Sequence, residues 1–212
     1  MAASQNQRLR RLAEKASRRK LIVAEKRKAE AAIAGGRDLR QIGEAALSPV
    51  RTCVVSAGLF DDGIGWLVLA RTLRSGLIGA SFFLVDVWCL GVKDAFFSVL
   101  SRPAFEERIA DTRQTQALVD IDPSVARKLL QDAVAYADSF GFAPNAGFAA
   151  AQAIFGDIEP ATQTFTFGRD GKPFFTSGPN DTRVRIRRIL DTLEKSAGPG
   201  GYDYLVLAGG VG

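Results

Sequence analysis

Asp86, a carboxylate inside an apolar run, is the residue of this chain best placed to do chemistry. In Phe82-Phe83-Leu84-Val85-Asp86-Val87-Trp88-Cys89-Leu90, the two-residue period of a strand puts Asp86 on the face of Leu84 and Trp88, where an unpaired charge is costly. It needs a partner. Lys93 and Arg71 are the nearest cations in sequence and would make Asp86 half of a buried ion pair. Alternatively, Asp61, Asp62 and Asp94 join it around a divalent metal, which would permit phosphodiester chemistry by activating water and stabilising a leaving oxygen. No fixed spacing marks these four as ligands, and Asp61-Asp62-Gly63 is ordinary turn chemistry. Pairing is therefore the stronger reading; Asp86, Lys93 and Asp94 stand as weak catalytic candidates, and no resident metal or cofactor is expected.

The chain has no histidine, which removes Ser-His-Asp and Cys-His nucleophilic catalysis together with the commonest general base and metal ligand. Its two cysteines, Cys53 and Cys89, are too few for a four-cysteine zinc site and lie in apolar runs, where a thiol behaves as a small hydrophobe. Free, buried thiols fit a reducing, cytoplasmic setting. No apolar signal core or charge-free apolar stretch of membrane-spanning length is visible, so no membrane partner is expected.

The cations are unevenly spread. Residues 1–40 hold 12 Lys or Arg against 4 Asp or Glu, whereas the remaining 16 basic and 19 acidic residues leave the rest slightly negative. A basic, alanine-rich stretch of this kind suits phosphate contact, with Arg8, Arg10, Arg11, Lys15, Arg18, Arg19, Lys20, Lys26, Arg27 and Lys28 as candidates. A weaker set is Lys172, Arg183 and Arg187, near Arg169, Arg185 and Arg188 and the aromatic pair Phe174-Phe175. Cations beside aromatics can grip a backbone and stack bases. Interleaved Asp170, Asp181, Asp191 and Glu194 favour instead an ordinary solvated helix face. The loop from Ser177 to Thr182 could offer backbone N–H groups to an anion, but Asp181 opposes one there, and a turn with a helix cap explains it better.

These residues imply nucleic-acid binding, RNA or a ribonucleoprotein foremost, through the basic arm. The alternatives are a metal-dependent phosphodiesterase or nuclease centred on Asp86, and a protein-interaction module whose arm docks on an acidic or coiled-coil partner.

The elements that must position them read as an α+β domain over 41–212 behind a basic helical extension over 1–40. Residues 5–34 lack Pro and Gly, which predicts a long helix with a thin apolar stripe. Strands are expected over 51–56, 65–73 and 80–90, the last two joined by Arg74-Ser75-Gly76 as a hairpin, so the three form an antiparallel meander with the third strand central. Helices are expected over 92–100 and 103–112, then from the Asp122 cap and Pro123 to Gly141, with a shorter one over 145–155. Residues 164–167 and 173–176 flank Arg169-Asp170-Gly171 as a C-terminal hairpin. Asn180 or Asp181 caps a last helix with Ile186, Ile189, Leu190 and Leu193 on its buried face, and 202–208 reads as a final strand.

Overall fold

The computed structural model describes residues 40–178 and 181–206. The arm's candidate phosphate contacts, its expected long helix, Asn180 and the end of the expected final strand lie outside them. All elements below belong to the unit Gln41–Gly212.

A five-stranded antiparallel sheet organises this unit. β1 (Val50–Ser56), β2 (Ile64–Thr72), β3 (Ile78–Asp86) and β4 (Gly91–Leu100) follow one another as neighbours. β5 (Leu118–Asp120) adds outside β1, giving the order β4-β3-β2-β1-β5. The expected meander is present, but β2 is its middle strand, and β3 lies between β2 and β4. β3 is buried on both faces, which is why its sequence is apolar at consecutive positions rather than alternating. Between β1 and β2 the Asp61-Asp62 turn closes as one helical turn, α1 (Leu59–Asp62).

Two apolar clusters cover the two faces. Leu67, Leu69, Phe83 and Val85 pack with Leu129, Leu130 and Ala133 of α3 (Pro123–Asp138) and with Phe148 of α4 (Phe148–Ala151). Val68, Ala80 and Phe82 on the opposite face meet Phe105 and Ile109 of α2 (Arg102–Thr115). α3 starts as expected, the Asp122 carboxylate accepting from the Ser124 N–H with Pro123 next, while α2 starts one residue before Pro103, at Arg102, capped by the Ser101 hydroxyl accepting from the Ala104 N–H. A third cluster joins Cys89, Leu90 and Phe175 to Ile189 and Leu193 of α5 (Arg183–Ala197).

Four expectations are corrected. Residues 92–100 form β4, not a helix. Val92, Ala95, Phe96 and Val99 fit a helical period, but the β-branched and aromatic content suits a strand, and the otherwise open edge of β3 supplies the ladder that decides it. β3 ends at Asp86 rather than continuing to Leu90. Residues 87–90 are the turn to β4, and Gly91 (φ 65°) lies so close to α3 that a Cβ would stand 2.7 Å from the Ala133 carbonyl oxygen.

The C-terminal hairpin is only its turn. Asp170 (φ 52°) and Gly171 (φ 79°) adopt the positive angles expected of it, but 164–167 is not a strand. Phe165 and Phe167 stack instead on Phe60 and Tyr136. β6 (Phe174–Thr176) pairs in parallel with β7 (Asp203–Leu205). The cap of α5 is Thr182, whose hydroxyl accepts from the Arg185 N–H, because Asp181 is engaged elsewhere.

Candidate functional site

The β3–β4 turn is where the chemistry-bearing residues meet. Asp86, 4% exposed, ends β3 with its Oδ1 accepting the backbone N–H groups of Trp88 (3.1 Å) and Cys89 (2.8 Å). A carboxylate that folds its own following backbone into a turn is local Asp chemistry. The turn's carbonyls are held from outside: Val87 accepts from the Gly168 N–H, and Trp88 from the Phe174 N–H. Burial dominates the titration of Asp86 and pushes its pKa up to about 6, while the Lys93 charge and then the amides of Cys89, Leu90 and Trp88 pull it back.

The expected cation partner is thus replaced by backbone. Among the described residues Asp86 has no direct ion pair, and Lys93 acts on it at longer range. Arg71 lies at the other end of the β2–β3 ladder: Asp86 pairs with Ile64 and Arg71 with Gly79, seven residues along β3, or roughly 23 Å at about 3.3 Å per residue. Arg71 is itself buried and donates to the carbonyls of Ser48 (2.5 Å) and Phe155 (2.9 Å).

Lys93 owes its position to a β-bulge. Leu84 pairs with Asp94 and Val85 with Val92, so Lys93 is the extra residue, and a bulge re-aims the side chain it carries. The loop before α4 secures this kink. The Asn145 backbone N–H donates to the Val92 carbonyl (2.9 Å) and its side-chain amide to the Lys93 carbonyl (3.4 Å), while its Oδ1 accepts the Gly147 N–H. Gly147 lies against β4 so closely that a Cβ would stand 2.1 Å from the Ala95 carbonyl oxygen.

Lys93 borders two cavities. One, of about 210 Å³, also has Asp62, Asp86, Trp88 and Phe174 in its wall. The other, of about 360 Å³, lies between the bulge and α5 and is lined by Arg185, Arg188, Asn145, Phe142 and Ile189 among others.

The helical period sorts the arginines of α5. Taking about 100° per residue, Arg185 and Arg188 lie about 60° apart on one side, whereas Arg183 and Arg187 share the other with Asp191 and Glu194, and Asp191 also falls one turn from both Arg188 and Lys195. Asp181, outside the helix, fixes Arg185: its Oδ1 pairs with Arg185 Nε at 3.0 Å and its Oδ2 accepts the Gly178 N–H at 2.8 Å.

Of the residues singled out in the sequence, the structure brings Asp86, Asp62 and Lys93 to one cavity. It keeps Asp61 and Asp94 out of that wall, and Asp94 accepts the N–H of Ala95. Among the described residues no three His, Cys, Asp or Glu side chains gather as a metal site. Lys172 donates to the Gly200 carbonyl, and Arg169 covers the rings of Trp88 and Phe174 at 5.1 and 4.8 Å. Arg185 and Arg188 were visible in the sequence beside Arg183 and Arg187, but not their company with Lys93. Lys93, read as part of a helix, could not be placed beside them.

Cys53 and Cys89 are free and buried. Burial first, then Asp122 and Asp120, raises the Cys53 pKa to about 12. Burial and then Asp86 push Cys89 upward as well. Among the described residues no helix is long and apolar enough to cross a membrane. Comparison with known proteins gives no match to a family model, a curated protein or a solved structure.

Proposed function

We propose that this chain binds nucleic acid, with RNA or a ribonucleoprotein as the preferred partner in a cytoplasmic setting. The observation that carries the reading is the cation grouping at the β4 bulge, where Lys93, Arg185 and Arg188 line one cavity whose wall holds no carboxylate. Carboxylate-free cation groups are the electrostatic footprint of phosphate contact. The surplus of basic residues over 1–40 supports the same partner, adding sequence-independent contacts. RNA is preferred because Arg169 stands over the rings of Trp88 and Phe174 and Phe142 shares a cavity wall with Arg185 and Arg188, a mix of cations and aromatics that suits unstacked bases better than a duplex.

Fluorescence anisotropy of a labelled single-stranded RNA with the full chain, across a salt series, tests this. Log affinity should fall with log salt at about −0.7 per contact, and replacing Arg18, Arg19 and Lys20 by Ala should flatten the slope by about 2. Binding that ignores salt refutes the reading. Metal-dependent cleavage abolished by Asp86→Asn would establish the nuclease alternative, and indifference to nucleic acid would leave the protein-interaction one.

A further inference from the structure

We propose that the cavity of about 360 Å³ between the β4 bulge and α5 is a phosphate-binding site that seats one nucleotide unit. The phosphate lies against Lys93, Arg185 and Arg188, and the nucleoside against Phe142 and Ile189. The inference rests on the nucleic-acid reading only for the source of the phosphate, a unit of an RNA chain rather than a free nucleotide.

Charge is the first argument. Three cations from two elements border the cavity and no carboxylate does. Arg185 is paired with Asp181, whereas among the described residues neither Lys93 nor Arg188 enters an ion pair. A planar carboxylate is satisfied by one guanidinium fork. Three cations spread around one space match the several oxygens and higher charge of a phosphate.

The second argument is that the backbone positions of these cations, and the Arg185 side chain, are set before any ligand arrives. Lys93 is presented by the bulge, which Asn145 secures through the Val92 and Lys93 carbonyls. Arg185 is oriented by Asp181, itself tied to the Gly178 N–H. Arg188 follows on the same side of α5, whose Ile189 and Leu193 anchor the helix in the third cluster. A guanidinium already oriented, as that of Arg185 is, loses less side-chain entropy on binding than a free surface cation.

Size and lining are the third. The volume falls in the range of small-ligand cavities, about 300–1000 Å³. Leu90, Val92, Phe142 and Ile189 give an apolar wall beside the cations, which suits a base and sugar joined to a phosphate better than inorganic phosphate alone.

The test uses the full chain, the double variant Arg185→Ala/Arg188→Ala and the single variant Lys93→Gln, with thermal unfolding showing that each is folded. Adenosine 5′-monophosphate and adenosine are titrated by calorimetry, and a labelled single-stranded RNA of about ten nucleotides by anisotropy. We expect the nucleotide to bind the parent, adenosine to bind far more weakly, and both variants to lose the nucleotide. RNA affinity should fall about tenfold or more in the double variant, its salt slope shrinking by about 1.4. RNA bound equally well by parent and variants overturns the site and leaves the nucleic-acid reading standing. Nucleotide binding that the variants lose, without any RNA binding, sustains the site and removes that reading. Adenosine binding as well as its phosphate, or no binding of either ligand or RNA, overturns the site.

Discussion

Replacing Asp86 by Asn isolates the cost of keeping a carboxylate in the β3–β4 turn. The side chain keeps its shape and an Oδ1 that can accept from Trp88 and Cys89, but it no longer titrates. In the folded protein the Asp86 pKa is raised from an ordinary 3.8 to about 6, so between these values the folded state binds a proton that the unfolded chain has lost. Stability contributed by this group therefore falls as pH rises from about 4 to about 6 and is level above that. Two units correspond to about 3 kcal/mol. Urea unfolding of parent and variant at matched pH gives the difference in stability, from which titrations common to both cancel. That difference should move by about 2 kcal/mol in favour of Asp86→Asn between about pH 4 and about pH 7, the rest of the change lying below pH 4. A difference constant to within about 0.5 kcal/mol, or one moving the other way as for an ion-paired carboxylate, refutes the account of Asp86 as a desolvated turn anchor.

Two further outcomes follow from buried groups. Arg71→Met removes both donors that reach the Ser48 and Phe155 carbonyls and leaves these oxygens without them, so unfolding should show a loss of about 2–4 kcal/mol; a variant as stable as the parent would show that the guanidinium is dispensable. Cys53 and Cys89 should resist a thiol reagent at neutral pH until denaturant is added, since both thiols are buried and shifted away from the thiolate, and rapid stoichiometric labelling of the native protein would contradict that burial.

Local chemistry was legible in the sequence where it decided the structure alone. Pro103 announced α2 and the Asp122 cap with Pro123 announced α3, and Asp170-Gly171 announced a turn whatever its flanks did. β4 was not legible because Val92, Ala95, Phe96 and Val99 fit a helical period, and only the ladder offered by the otherwise unpaired edge of β3 overrules it. That one misreading hid the cavity between the bulge and α5: a lysine on a helix over 92–100 has no reason to face α5, whereas a lysine on a bulge opposite it does. The burial of Asp86 was visible in its apolar neighbours. Its partners were not, because backbone N–H groups exist at every position and only the turn singles out those of Trp88 and Cys89.

The bulge at Lys93 also bears on how the sheet ends. An edge strand offers unpaired N–H and C=O groups to any passing strand, and long flat edges invite unwanted pairing between molecules. At one end β5 is three residues long, too short to template much. At the other, β4 is ten residues long and would be the vulnerable edge, but its ladder is interrupted by an extra charged residue and the Asn145 backbone already occupies the Val92 carbonyl. The kink that aims a cation at α5 therefore also guards the sheet against extension by a second molecule. Deleting Lys93 to restore regular pairing would remove the interruption and its charge, trading a local irregularity for a longer regular edge.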